Sequence, residues 1–180
     1  MPQICFLAAI PNYPSGSFTV QEKDTINYGD FADFSSLPAT GRIVALDPGT
    51  KRIGIAVCDE NRVVCRPLAH IKRTSWKKLL VEIKAVLSEF DAKALVIGLP
   101  LESDGAESEM STEARDWARK FSLSLSIPVF LQDERVTSYE AKSRLWKRNV
   151  ELEETGRFVD SEAAAIILSD FLSYAEARAK

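Results

Sequence analysis

An apolar run, Ile43-Val44-Ala45-Leu46, ends abruptly in a carboxylate, Asp47. The turn Pro48-Gly49-Thr50 follows, and a second apolar run, Ile53 to Val57, leaves it. Two apolar strands separated by so short a connection fold back on each other, so this stretch fixes an antiparallel pair with an acid at its tip. A carboxylate at the end of a buried strand is poorly solvated and needs a compensating partner. A divalent cation is the usual one.

The pattern on either side of this pair sets the organisation. Residues 1–40 carry Pro11, Pro14, Gly16, Gly29 and Pro38 among many Ser, Asn and Asp residues, with no sustained period. They are expected to form a flexible extension and not a domain. From residue 41 to about 176 the chain is expected to form one domain. Strands are expected at 42–47, 53–58 and 62–70, with Asp59-Glu60-Asn61 as the hairpin turn. Trp76, Leu79, Leu80, Ile83, Val86, Leu87 and Phe90 recur in steps of three and four, which predicts a helix over 74–90 capped by Thr74 or Ser75. Ala94-Leu95-Val96-Ile97 is a buried strand closed by Gly98-Leu99-Pro100. A helix over 107–124 should turn Met110, Ala114, Trp117, Ala118 and Phe121 inward. Pro128 opens the strand Val129-Phe130-Leu131. A further helix is expected over 137–147, with Thr137 and Glu140 as its capping box. Asp160 or Ser161 caps the last helix, whose inner face is Ala163, Ala164, Ile167 and Phe171. An antiparallel meander followed by helix-linked parallel strands makes an α/β fold: a mixed five-stranded sheet flanked by helices on both faces.

Bulk properties exclude several function classes. At 180 residues, 46% apolar and 27% charged, the chain has the make-up of a soluble globular protein. It has no apolar run long enough to span a bilayer and no basic lead-in to a secretory signal. Three cysteines (Cys5, Cys58, Cys65) without metal-ligand spacing are expected to be reduced thiols in the cytoplasm. With His70 as the single histidine, neither a histidine zinc site nor a Ser-His-Asp triad is readily built. The net charge is −3, but the first 40 residues take one of the 23 basic side chains and four of the 26 acidic ones. Residues 41–180 therefore carry 22 of each sign. The acidity does not exclude a nucleic-acid partner, for which local clustering matters.

Acidic residues stand where predicted elements end: Asp47 after the first strand, Asp133 and Glu134 after the strand from Val129, and Asp160 at the last helix. Taken singly, each has an ordinary reading as a turn former, a surface ion pair or an N-cap. Brought together, three carboxylates repel unless cations hold them, and two magnesium ions about 4 Å apart would do so while clamping a scissile phosphate. Strand alternation puts Asp133 and Glu134 on opposite faces, so only one of them can be in such a site. Gly49, Thr50 and Gly54 allow close backbone approach to a phosphate, with Lys51 and Arg52 beside them, and Gly98 and Gly105 are placed to do the same on the neighbouring loop.

The run Leu46-Asp47-Pro48-Gly49-Thr50-Lys51-Arg52-Ile53-Gly54 resembles the first motif of the YqgF (RuvX-like) family of pre-16S rRNA nucleases. Val96-Ile97-Gly98-Leu99-Pro100-Leu101 with Asp104-Gly105 resembles the second. Asp133-Glu134-Arg135-Val136-Thr137-Ser138 resembles the third, and Val159-Asp160-Ser161 with Ala163 to Leu168 the fourth. Arg66-Pro67-Leu68 is similar to the family too, and the match spans about residues 41–173 in order and spacing. The resemblance implies a ribonuclease H-like fold, as in Holliday-junction resolvases, in a cytoplasmic protein that matures the 5′ end of 16S rRNA. It places the catalytic, metal-binding acids on Asp47, Glu134 and Asp160, with Mg²⁺ or Mn²⁺, two ions, as cofactor. Two departures stand out. Glu102 replaces a common Asn, and the segment from Asn149 to Val159 is short and acidic where relatives carry a longer basic stretch.

Nucleic acid is expected to contact Gly49, Thr50, Lys51, Arg52, Arg135, Lys147 and Arg148. Further basic clusters are Lys72-Arg73 with Lys77-Lys78, and Lys142 with Arg144. The substrate is expected to be structured RNA (pre-16S rRNA) or branched DNA, met by a monomer or homodimer. Two other classes compete: a non-catalytic nucleic-acid-binding or ribosome-assembly module, and an actin-like phosphotransferase built on an Asp-x-Gly-Thr turn. The acids favour the enzyme over the first. The second needs two lobes of this fold, and ATP binding discriminates it.

Overall fold

The computed structural model describes residues 34–102, 106–134 and 161–179. The chain runs β1 (Ile43–Asp47), β2 (Arg52–Cys58), β3 (Cys65–Pro67), β4 (Ile71–Lys72), α1 (Trp76–Glu89), β5 (Ala94–Leu99), α2 (Glu109–Ser124), β6 (Val129–Asp133) and α3 (Glu162–Ala179). Five strands lie in the order β3-β2-β1-β5-β6, and the two-residue β4 pairs with the far end of β2. β1–β2 and β2–β3 are antiparallel, while β1–β5 and β5–β6 are parallel. This is the expected mixed sheet.

Alternation along each strand divides the core in two. Val44, Leu46, Leu95, Ile97, Leu99, Val129 and Leu131 face α1 and α2 with Leu79, Ile83, Trp117 and Phe121. Ile43, Ala45, Ala94, Val96 and Phe130 face α3 with Ala164, Ala165, Leu168 and Phe171. Small residues on both sides of this second layer, Ala45, Ala56 and Ala94 against Ala164 and Ala165, let the helix approach the sheet closely.

Several boundaries differ from expectation. The strand expected over 62–70 is split into β3 and β4. Asp59 Oδ1 accepts the backbone N–H groups of Val63 and Val64, each at 2.7 Å, and Arg62 adopts φ 61°, so residues 59–64 form a loop. α1 begins at Trp76, and Ser75 holds the cap position by its backbone alone, without a side-chain cap bond. It ends with Asp91 at φ 48°, where the Asp91 N–H bonds Ser88 O and the Ala92 N–H bonds Leu87 O, a Schellman closure. α2 begins at Glu109 behind a reciprocal cap between Ser108 and Ser111. That first turn carries Ser111 inward, so Met110, expected inside, is 37% exposed. On α3, Ala163 is exposed and Ala165 and Leu168 are buried in its place. The helix expected over 137–147 lies outside the described residues.

The packed unit starts ahead of the boundary expected at residue 40. A short 3-10 turn, Phe34–Ser36, sets the Phe34 ring 5.4 Å from Phe171, 5.5 Å from Tyr174 and 6.0 Å from Phe130. Arg62 fastens the following residues, donating to Pro38 O at 2.6 Å and Gly41 O at 3.0 Å. Among the described residues, no helix is long and apolar enough to cross a membrane.

Candidate active site

Asp47 ends β1 on the α3 side of the sheet, in alternation with Ile43 and Ala45. The parallel register pairs Leu46 with Ile97, which brings Asp47 level with Gly98 on β5. Gly98 is in turn paired with Gln132 on β6. Continuing that alternation, Phe130, Gln132 and Glu134 share the α3 side, and Asp133, paired with buried Leu99, takes the other. Asp47 and Glu134 thus emerge on one face from strand ends that flank Gly98.

The glycine is what allows this. A β-carbon at position 98 would run into Glu134 Oε1, and would stand 2.7 Å from Ile167 Cδ1 on α3. Close backbone approach to a phosphate was expected of Gly98; the structure gives its bare face to the Glu134 carboxylate instead. Gly49 is likewise required by the turn itself, because a β-carbon there would meet the carbonyl oxygen of Arg52. The turn is closed by the Gly49 N–H donating to Asp47 O at 2.8 Å.

Burial raises the pKa of Asp47 above the ordinary carboxylate value. Desolvation by burial is the cause. Such a carboxylate is held ready for a positive partner. On the same face, one strand beyond Gly98, Gln132 is 3% exposed and its Oε1 has no hydrogen-bond partner among the described residues. Carboxylate and amide oxygens are the donors that Mg²⁺ and Mn²⁺ prefer, so the residues fit such an ion. Among the described residues no three potential ligands cluster. The third expected acid, Asp160, lies outside them.

The neighbour of Asp160 is placed firmly. Ser161 is fully buried, and its Oγ accepts the backbone N–H of Ile55 at 3.1 Å. This N–H sits between the end of β3, which pairs up to Ala56, and the start of β4, which pairs up to Ile53. The hydroxyl therefore fills a gap in the sheet ladder and anchors the start of α3 on β2.

Thr50, Lys51 and Arg52 are exposed beside Asp47. Arg135, Lys147 and Arg148 lie outside the described residues, as does Gly105. Lys72, Lys77 and Lys78 are exposed, but Arg73, grouped with them by sequence, is turned inward. Its Nη1 donates to Gly49 O at 3.3 Å, its Nη2 pairs with Glu113, and its guanidinium lies 5.3 Å from the centre of the Trp117 ring. Sequence reasoning missed this role, since partners 24 and 40 positions away leave no local signal.

A family model described as "RuvX: Holliday junction resolvase" matches residues 41–174. The chain belongs to the RuvX family. A "Putative pre-16S rRNA nuclease" of Anaeromyxobacter sp. (strain Fw109-5) is 37% identical over 131 residues, covering 73% of this chain and 96% of that protein. The protein of the same name from Koribacter versatilis is 36% identical over 132 residues, covering 73% and 86%. Among solved structures, Thermus thermophilus RuvC in complex with a Holliday junction substrate shares the fold. Its TM-score is 0.51 at 16% identity, over 77% of this chain and 96% of that one. A second Thermus thermophilus RuvC structure gives 0.50 at 15% identity, over 77% of this chain and 96% of that one. The sheet and its helices are thus the RuvC-like, ribonuclease H-type architecture expected from the motifs.

Proposed function

We propose that this RuvX-family protein is a metal-dependent endonuclease that hydrolyses phosphodiester bonds in precursor 16S rRNA, maturing its 5′ end. The observation that carries the reading is the convergence of Asp47 and Glu134 on one face, across a glycine that leaves room for nothing larger. A binding-only module has no use for a desolvated acid placed in this way. The names of the curated relatives support the choice of RNA.

Asp47, Glu134 and Asp160 are the residues that would hold the cation, two Mg²⁺ or Mn²⁺ ions in this reading. Bound there, the metal supplies Lewis acidity to the phosphate and an activated water. The chain's own contributions are distinct. The closed turn after Asp47 fixes that carboxylate at the strand end. The Glu134 carboxylate is set against Gly98 and Ile167. Exposed Lys51 and Arg52 bring positive charge for the phosphate backbone, which makes affinity fall with salt.

The deciding experiment compares wild type with Asp47→Asn on precursor 16S rRNA and on a four-way DNA junction, with Mg²⁺ or Mn²⁺. Wild type is expected to cut the RNA, and Asp47→Asn to lose activity by at least about 100-fold while keeping its fold. Cutting of the junction alone would transfer the activity to branched DNA, the substrate in the family's description. Equal rates in both proteins would overturn the assigned site.

A further inference from the structure

The basic residues near Asp47 divide into two kinds. Lys51 and Arg52 are exposed, whereas Arg73 is part-buried and held by several contacts. Arg73 enters from the connection between β4 and α1. Its backbone N–H donates to Lys51 O at 3.1 Å, and its Nη1 donates to Gly49 O at 3.3 Å. One residue therefore holds both ends of the Gly49–Lys51 turn. Its Nη2 pairs with Glu113 on α2, and its guanidinium carbon lies 5.3 Å from the centre of the Trp117 ring on the same helix. α2 is in turn tied to the end of β5, because Ser108 Oγ donates to Pro100 O at 3.0 Å.

We infer that Arg73 is a positioning residue that locks the turn after Asp47 to α2, so that the Asp47 carboxylate keeps its place beside Gly98. The inference rests on the nuclease reading for its consequence, but the tether itself does not. One N–H of each terminal nitrogen is engaged, by Gly49 O and by Glu113, so that Arg73 acts through the backbone of the turn. Lysine cannot replace it. An ammonium on a flexible stem lacks the rigid planar fork that meets both acceptors in a fixed geometry.

The test uses the full chain carrying Arg73→Lys, Arg73→Gln or Glu113→Gln. The first readout needs neither metal nor substrate: hydrogen exchange of the Gly49 amide, which closes the turn onto Asp47 O. Both Arg73 variants are expected to raise that rate roughly tenfold, the loss of about one hydrogen bond, while amides in the middle of α1 keep theirs. Glu113→Gln, which keeps an acceptor for Nη2, is expected to give a smaller rise. The second readout is the split of rate constants. Both Arg73 variants should lower kcat about 10- to 100-fold, with KM and its salt dependence little changed. Unchanged exchange at Gly49 would overturn the tether. So would full rescue by lysine, or a raised KM with a shallower salt slope, which would make Arg73 a phosphate contact. If exchange rises as expected and no form of the protein cuts nucleic acid, the tether stands and the nuclease reading fails.

Discussion

The carboxylate of Glu134 occupies the space that any side chain at position 98 would need. β5 and β6 run parallel, with Gly98 beside Gln132, so an acid two residues further on, just past the end of β6, folds back over the glycine. Alanine at 98 must push aside both the Glu134 carboxylate and the Ile167 side chain. Gly98→Ala is therefore expected to cost about 1–3 kcal/mol of stability and to lower cleavage about 100-fold. Chemical denaturation and single-turnover cleavage check the two separately. A stable, fully active Gly98→Ala would show that the Glu134 carboxylate is not needed at this place.

Asp47 is held above its ordinary pKa by burial, and this carries a sign for stability. A carboxyl group whose pKa is raised on folding favours the native state while protonated. That advantage is present below the unfolded value of 3.8 and is lost as pH rises through the folded value. At neutral pH and without metal, the charged Asp47 is thus a liability. Asp47→Asn is expected to raise the melting temperature of the metal-free protein at pH 7, with the gain shrinking toward pH 3. Mg²⁺ or Mn²⁺ is expected to raise the melting temperature of wild type, and much less that of the variant. A lower melting temperature for Asp47→Asn at pH 7 would contradict the assignment of this acid as a desolvated, cation-seeking group.

The order of strands and the position of Asp47 were legible in the sequence because each rests on a local pattern. β1, β5 and β6 are short apolar runs ending in turn residues, and two strands joined by a tight connection have one way to pair. The misread details depend on groups that override such patterns. Asp59 takes two N–H groups that a longer third strand would have used, and the Ser108–Ser111 cap turns α2 so that Met110 leaves the core. On α3, Ala163 to Leu168 is apolar throughout, so no period marks which alanine faces the sheet. The Arg73 tether and the Glu134–Gly98 contact are products of tertiary packing, and no window of sequence holds both partners.

Ser161 joins the two ends of the site across 106 positions of sequence. Its hydroxyl is the acceptor for the Ile55 N–H, in a fully buried setting where water cannot substitute. Ser161→Ala leaves that donor unsatisfied and is expected to cost about 1–3 kcal/mol, read as a lower denaturation midpoint. Ser161→Thr keeps the acceptor and should recover part of the loss where the added methyl is tolerated. Unchanged stability in Ser161→Ala would show that the bond contributes nothing.

Phe34 tests where the folded unit begins. Its half-buried ring packs on Phe130, Phe171 and Tyr174, at the end of the α3 layer remote from α1 and α2. Partial burial of a phenyl ring with aromatic neighbours is worth about 1–2 kcal/mol. Phe34→Ala is expected to lose that amount in chemical denaturation, and Phe34→Leu less. An unaffected midpoint in Phe34→Ala would place the start of the cooperative unit after this residue.

Cys58 and Cys65 stand opposite each other across β2 and β3, and both are free thiols. Burial pushes Cys65 up to about 12, helped by Cys58 and Asp59, and burial raises Cys58 as well, although the Ile43 N–H at 3.2 Å from its sulfur acts against this. The thiolate is the reactive form, so both residues should be alkylated by iodoacetamide at pH 8 at least about tenfold more slowly than a free cysteine of pKa about 8.5. Peptide mapping by mass spectrometry separates them from Cys5, and unfolding in guanidinium should remove the difference. The contrast follows from the sheet itself: β3 sets Cys65 against the second core layer, where the neutral thiol is the stable form. Rapid labelling of Cys65 in the native protein would mean that β3 opens readily from β2, the strand to which Ser161 is bonded.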